Sequence, residues 1–184
     1  PQISSVIGRI PAGKLLIISR NDRLGNKYNS IIQNFFEGTY LALKSAKEKI
    51  NRYRRFILSF PEKSGHPQTL KAGFQKFVND YKLAFQISDS LDEFEICKGD
   101  TFLLIDDADL VKLLRVCKTR GWKLGRDVGV IAYNETPLKE VIRDGITVIS
   151  CNFSSIANGM SNFILHRNAV HDVIPISLIN RKSL

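Results

Sequence analysis

The sequence has no long apolar run. None of its apolar stretches approaches the roughly 20 residues that a helix needs to span a bilayer, and it has no signal peptide. We therefore predict a cytoplasmic protein with no membrane partner. The chain begins with Pro1 instead of methionine, so we expect a processed or trimmed product whose natural start lies upstream.

Cysteine is scarce. Cys97, Cys117 and Cys151 are odd in number, widely spaced and form no CxxC pair, which argues against a zinc site and against a disulfide framework. Three reduced thiols, the usual state in the cytoplasm, are the favoured interpretation. A short acidic cluster is interpreted as a solvated helix and not as a metal site; its members are Asp89, Asp92, Glu93 and Glu95.

Motifs typical of catalysis are missing. The sequence contains no G-x-S-x-G nucleophile motif, and it has neither a G-x-x-x-x-G-K-[ST] loop nor a G-x-G-x-x-G turn. Without a nucleophile, a phosphate-binding loop or a dinucleotide turn, we predict that the protein is not an enzyme and holds no cofactor or metal.

Positive charge is in excess, with 27 basic and 18 acidic residues and a net charge of +9. The densest basic segment is 44–55 (KSAKEKINRYRR). Such a segment can attract nucleic acid, but cations also stabilise the carboxyl ends of helices. Tyr53 is its one aromatic residue, which argues against a platform for single-stranded nucleic acid. We favour a solvated helix end.

Short apolar segments alternate with amphipathic ones, which predicts an α/β fold with a parallel sheet and helices on both faces. Strands are predicted over residues 14–19, 55–60, 83–87, 101–105, 128–132, 146–150 and 173–179. Helices are predicted over residues 28–50, 68–81, 107–119 and 152–167. Irregular or loop segments are predicted over residues 1–13, 20–29 and 61–67.

The stretch from 127 to 153 (DVGVIAYNETPLKEVIRDGITVISCNF) is the segment around which the rest of the chain is interpreted. Polar residues from Tyr133 to Thr136 follow a buried strand, the place where open α/β sheets hold ligands. Thr136 can cap a short helical turn, and Pro137 suits its first position.

Residues 130–153 resemble the effector-binding domain of LacI/GalR-type repressors, which has a strand, Y-[DN]-[DE]-T-P-L, a turn and G-[IL]-T-[TV]-[IV]. The flanking segments 102–114 (FLLIDDADLVKLL) and 121–129 (GWKLGRDVG) extend the likeness, and Leu124, Gly125 and Asp127 match. The ending, 176–184, is similar to that of arabinose-repressor-type regulators, which carry a GntR-type winged helix in front. In total the resemblance covers residues 14–184.

This resemblance implies a periplasmic-binding-protein-like fold with one full lobe and part of the other. Residues 1–54 would form a partial first-lobe segment and crossover, residues 55–150 the second lobe, and residues 151–184 a return helix and closing strand. A partial first lobe leaves apolar helix faces exposed, so we expect self-association as a homodimer.

The resemblance also implies a set of ligand-binding residues: Asp106, Asn134, His66, Gln68 and Cys151. Asp106 matches a sugar-facing acid, and a structural role for the acid pair, with Asp107 capping the following helix, has equal weight. Asn134 replaces an Asp of the family, His66 and Gln68 lie where an Arg is usual, and Cys151 lies where Gln is frequent. These departures predict an unusual sugar or sugar derivative.

The implied function is effector sensing and dimerisation in a bacterial transcription regulator. A small molecule, a sugar by resemblance, would bind between two lobes and control DNA binding by a missing N-terminal winged helix. The alternative is a solute-binding protein of a transporter. A phosphoacceptor receiver domain is disfavoured. It needs a second acidic pair after the first strand, where this sequence has Asn21 and Asp22, and a lysine after a late strand, but no lysine directly follows residues 130–132.

Overall fold

The computed structural model describes residues 7–19, 27–62, 65–93 and 95–184. The strands are β1 (Leu16–Ser19), β2 (Asn29–Gln33), β3 (Arg55–Ser59), β4 (Phe85–Ser88), β5 (Asp100–Leu104), β6 (Gly129–Tyr133), β7 (Thr147–Cys151), β8 (His171–Ile174) and β9 (Ile176–Ile179). The helices are α1 (Phe35–Ser45), α2 (Lys47–Ile50), α3 (Gln68–Asp80), α4 (Asp107–Arg120), α5 (Pro137–Val141) and α6 (Phe153–His166). Parts of the predicted loops, residues 1–6, 20–26, 63 and 64, lie outside the described residues, as does residue 94.

The chain divides into two compact units. The first comprises Pro1–Asn34 and Cys151–Pro175, and the second Phe35–Ser150 and Ile176–Leu184. Helix α1 therefore groups with the second unit, whereas the sequence-based division assigned residues 1–54 to a first-lobe segment and crossover.

The first unit contains a three-stranded parallel sheet in the order β1-β2-β8. Helix α6 packs on β2 and β8. The packing is close at Gly159, where an added Cβ would lie 2.8 Å from Ile31 Cδ1.

The second unit contains a six-stranded sheet in the order β4-β3-β5-β6-β7-β9, in which β4, β3, β5, β6 and β7 pair in parallel. Along β3, the ring of Phe56 packs on Phe74 of α3, with centroids 4.9 Å apart, while Ile57 joins a core cluster with Leu110 and Leu113 of α4. Because successive side chains of a strand point to opposite faces, these contacts place helices on both faces of the sheet. The predicted α/β class is confirmed.

The predicted helix over residues 28–50 is wrong at its start. Residues 29–33 form β2, the central strand of the first sheet, and the helix begins only at Phe35. Ile31 and Ile32 are β-branched and favour strands, and pairing with both β1 and β8 satisfies the backbone of this segment. The spacing of apolar residues continued across the strand–helix junction and concealed it.

The predicted final strand over residues 173–179 is two strands. Pro175 separates β8, which belongs to the first sheet, from β9, which belongs to the second. Proline has no N–H to donate to a ladder, so it suits the point where the chain leaves one sheet for the other.

Among the described residues, none of the helices has the length and apolar character required to cross a membrane.

Candidate functional site

A cleft of about 410 Å³ lies in the second unit, at the carboxyl ends of β5 and β6. These strands are neighbours, and Leu104 pairs with Ala132. Asp106 and Asn134 each follow that pair by two residues, so the register brings them to the same edge of the sheet. Both line the cleft together with His66. The structure therefore brings three of the five predicted site residues together.

Asp106 caps a helix and lines the cleft. Its backbone is extended and it is the N-cap of α4, where Oδ1 accepts a hydrogen bond of 2.9 Å from the N–H of Ala108. The side chain is exposed to the cleft, and Oδ2 has no hydrogen-bonding partner among the described residues. The expectation that Asp107 caps the helix was wrong, because Asp106 is the residue that precedes the first helical turn.

Asn134 follows β6 in a left-handed backbone conformation with φ of 60°. Asparagine tolerates this region better than most residues with a side chain. Its N–H donates to Ile149 O at 2.9 Å, which fixes the turn against β7. Its side-chain amide is half-exposed and makes no hydrogen bond to another described residue, so a donor and an acceptor remain available in the cleft.

Lys139 forms the floor of the cleft. Its side chain is buried, and Nζ donates to the carbonyl oxygens of Tyr133 and Asn134, at 2.8 Å each. Nζ also lies 2.7 Å from Asp107 Oδ1. Three partners use the three donors of the ammonium group, so Lys139 ties the end of β6 to the start of α4.

Lys139 was not among the predicted site residues. It lies six residues beyond the strand, on the short helix α5, and only the fold turns it back beneath the cleft. The signal available in the sequence was the cap of that helix. The side chain of Thr136 accepts from Lys139 N–H, with Pro137 at the first helical position, as predicted.

His66 contributes a half-buried imidazole. Its ring meets the ring of Tyr133 edge-on, with centroids 5.2 Å apart and planes at 83°. Burial lowers the pKa of His66 below its ordinary value, and the charge of Asp106 acts in the opposite direction. The net effect favours a neutral imidazole, which offers one donor and one acceptor.

Two predicted site residues do not line the cleft. Gln68 is the first residue of α3 and is exposed, while Cys151 is the last residue of β7 and is buried. Burial raises the pKa of the Cys151 thiol, so the protonated form predominates near neutral pH.

The loop between β6 and α5 is stabilised by hydrogen bonds and an ion pair. The N–H of Glu135 donates to Ser150 Oγ at 3.1 Å, and the N–H of Thr136 donates to Glu135 Oε1 at 2.9 Å. Glu135 Oε2 also forms an ion pair with Arg181 Nη2 at 2.6 Å. These contacts hold the cleft wall in place.

The cleft offers carboxylate, carboxamide and imidazole groups around an aromatic ring. This combination suits hydrogen bonding to a neutral molecule with several hydroxyl groups, since each group can accept or donate without a metal. Within the described residues, no group of three or more His, Cys, Asp or Glu side chains is arranged to hold a metal ion.

The sequence matches no family model and no curated protein. The structure is similar to a sugar-binding transcriptional regulator of the LacI family from Escherichia coli, solved with phosphate. The TM-score is 0.77 at 14% identity, covering 100% of this chain and 72% of that chain. The structure is also similar to a periplasmic binding protein/LacI transcriptional regulator from Alkaliphilus metalliredigens QYMF, complexed with D-xylulofuranose. Here the TM-score is 0.68 at 17% identity, covering 95% of this chain and 71% of that chain.

A LacI family transcriptional regulator from Enterococcus faecium with bound ribose gives a TM-score of 0.69 at 14% identity, covering 91% of this chain and 69% of that chain. At these identities the likeness concerns the fold. The chain therefore has the periplasmic-binding-protein-like fold found in LacI-family transcriptional regulators.

Proposed function

We propose that this chain is the effector-sensing domain of a bacterial transcription regulator and that the cleft at the ends of β5 and β6 binds a sugar or sugar derivative. The observation that carries the proposal is the pairing of Asp106 and Asn134 at adjacent strand ends, each with polar atoms that no described residue satisfies. Two proteins of similar fold, solved with ribose and with D-xylulofuranose, support a sugar as the ligand class.

The roles within the cleft follow from its chemistry. Asp106 Oδ2 accepts a hydrogen bond from a ligand hydroxyl, and its charge strengthens that bond. Asn134 accepts and donates as an uncharged group. His66 supplies a further donor or acceptor, and Tyr133 provides an apolar surface beside it. Gln68 and Cys151 are not assigned contacts with the ligand.

The regulatory part of the proposal extends beyond these residues. DNA would be bound by a winged-helix domain of GntR type that precedes this chain, and the regulator would act as a homodimer. The effector changes DNA affinity only if it binds the two conformations of the regulator with different affinity. A mobility-shift assay on the full-length protein, with and without sugar, tests this part.

The ligand assignment is tested by calorimetric titration of ribose and xylulose into wild type and into Asp106→Asn. Asparagine is also a good N-cap, so α4 keeps its cap while the carboxylate charge is lost. We expect affinity to fall about 10- to 100-fold with little change in thermal stability. Asp89→Asn, which removes an exposed carboxylate outside the cleft, is the control.

Equal affinity of wild type and Asp106→Asn for a sugar that binds would refute this site, as would an equal loss of affinity in Asp89→Asn. The alternative function is that of a solute-binding protein of a transporter, which would have the same fold and give the same result in the calorimetric titration. It differs in the mobility-shift assay, where a transport protein has no DNA complex for the sugar to change.

A further inference from the structure

A second and larger cleft lies at the opposite end of the same sheet. Its volume is about 840 Å³, and its walls include the segments 122–126 and 143–144, which precede β6 and β7. The candidate sugar site lies instead at the carboxyl ends of β5 and β6. The two clefts thus belong to one unit but have no lining residue in common.

The larger cleft is strongly basic. It has one acidic side chain, Asp144, and six basic ones: Lys49, Lys123, Arg126, Arg143, Arg181 and Lys182. Two of the basic residues are neutralised by carboxylates outside the lining, Arg126 by Asp127 at 2.9 Å and Arg181 by Glu135 at 2.6 Å. Even with those pairs counted, an excess of about three positive charges faces the cleft.

Three of the cations have no carboxylate partner among the described residues. Lys49 Nζ donates to the neutral amide oxygen Asn180 Oδ1, at 2.7 Å. Lys123 and Arg143 form no ion pair within the described part of the chain, and both are exposed. Lysine and arginine side chains without counter-charges are suited to binding a phosphate group.

The segment 180–184 forms one wall and is firmly anchored. Ser183 Oγ donates to Val130 O at 2.7 Å and accepts from the N–H of Thr147 at 2.7 Å. Gly125 permits the approach, because a Cβ there would collide with the carbonyl oxygen of Lys182. Arg181 and Lys182 therefore belong to an anchored segment of the cleft wall.

The lining is not wholly polar. Trp122, Leu124 and Leu184 give the cleft an apolar portion next to its cations. A volume of this size suits a small molecule, and an apolar wall beside a basic one suits an organic group that carries a phosphate.

The basic residues outside the cleft do not favour an extended nucleic acid as the ligand. Three of the six basic residues in the segment 44–55 are engaged within the protein: Arg54 and Arg55 pair with Asp100 at 3.6 and 2.7 Å, and Lys47 lies over the ring of Tyr81. Lys49 lines the cleft, so Lys44 and Arg52 are left to follow a phosphate backbone beyond it.

We propose that this cleft, lined by Lys49, Lys123 and Arg143 and by Trp122, binds the phosphate monoester of a small organic molecule. The unpaired cations hold the phosphate, and the apolar wall contacts the organic group. The site is separate from the candidate sugar site, and the proposal does not rest on the function proposed above.

The test uses the intrinsic fluorescence of the protein. Trp122 is the single tryptophan of the sequence and lines this cleft and not the other, so its emission reports on ligands bound here. Ribose 5-phosphate, glucose 6-phosphate and glycerol 3-phosphate are titrated at low ionic strength, and ribose, inorganic phosphate and a DNA duplex are titrated in parallel. We expect a saturable change in emission with at least one ester and none with ribose.

Two variants locate the response. Lys123→Gln and Arg143→Gln should each weaken ester binding about tenfold or more, the usual consequence of losing a charge-assisted hydrogen bond. Lys118→Gln, which removes an exposed positive charge outside the cleft, should leave the affinity unchanged. Lys123 acts structurally through its backbone, whose N–H donates to Asp127, so its substitution keeps the protein folded.

Four results would overturn the proposal. They are the absence of a saturable response to all three esters at millimolar concentration, equal affinity for inorganic phosphate, a response to the duplex alone, and equal weakening by Lys118→Gln. The Asp106→Asn variant should bind the esters as wild type does, so failure of the sugar site and failure of this site are distinguishable.

Discussion

Lys139 illustrates how much a single residue depends on its surroundings. In a sequence it is an ordinary lysine on a short helix, yet its side chain is buried and all three donors are used. A lysine is almost never buried without such partners. Its contacts link two segments, the end of β6 and the start of α4, that contribute Asn134 and Asp106 to the cleft.

We predict that Lys139→Met destabilises the protein. The substitution keeps the bulk of the side chain but leaves the carbonyl oxygens of Tyr133 and Asn134 without their donor. A buried polar group that loses its partner costs about 1–3 kcal/mol, so we expect the free energy of unfolding in urea to fall by about that amount.

Lys123→Met is the matched control, since the side chain of Lys123 is exposed and no ion pair involves it among the described residues. A substitution of that kind usually changes stability by about 0.5 kcal/mol or less. Equal stability of Lys139→Met and wild type would show that the buried ammonium group does not brace the cleft.

At the scale of elements, the packing of helix α1 determines which residues it tolerates. It contacts α3 and β9, and Gly38 lies close to β9, where an added Cβ would be 2.6 Å from Ile176 Cβ. On propensity alone, replacing a glycine by alanine inside a helix stabilises it by about 1 kcal/mol. The contact with Ile176 opposes this gain.

We predict that Gly38→Ala lowers stability. The backbone of α1 must move away from β9 to admit the methyl group, and overpacking of this kind costs about 1–3 kcal/mol, which exceeds the gain in propensity. Thermal unfolding monitored by circular dichroism measures the outcome. Lys44→Ala, at an exposed position of the same helix, should have little effect. A higher melting temperature for Gly38→Ala would contradict the packing argument.

The sequence predicted most elements because their signals are local. Strand β6 is a run of buried apolar residues, and α3 shows a clear apolar face with Leu70, Phe74 and Phe77 buried. Strand β2 was not predicted, because its apolar residues continue the helical spacing of those in α1. Its strand character derives from β1 and β8, and β8 lies about 140 residues further along the chain.

At the scale of the whole molecule, apolar side chains are exposed on the first unit. On α6, Ile164 is 56% exposed and Leu165 70%, and Val173 on β8 is also exposed. The buried residues of α6 are Gly159 and Phe163, so Ile164 and Leu165 lie outside the buried face of the helix. Neighbouring apolar residues of this kind favour association.

We predict that the chain self-associates through the exposed face of α6. The net charge of +9 opposes association at low ionic strength, so added salt should shift the equilibrium from monomer to dimer. Sedimentation velocity over a range of concentrations measures this equilibrium, and Ile164→Ser with Leu165→Ser should shift it to monomer.

Leu138→Ser with Val141→Ser provides the comparison, because these residues of α5 in the second unit are 65% and 72% exposed. This pair should leave the association constant unchanged. A monomer at all concentrations and salt levels, or equal effects of the two double variants, would contradict an interface on α6.

The sequence by itself determined the alternation of buried strands and amphipathic helices, the polar residues that follow β5 and β6, and the capped turn at Thr136. Each depends on residues adjacent in the chain. The tertiary structure alone decided the place of β2 between β1 and β8, the return of Lys139 beneath the cleft, and the basic cleft assembled from segments near residues 49, 123, 143 and 181. Those features join residues far apart in sequence, and they exist only because strand pairing and core packing bring the segments together.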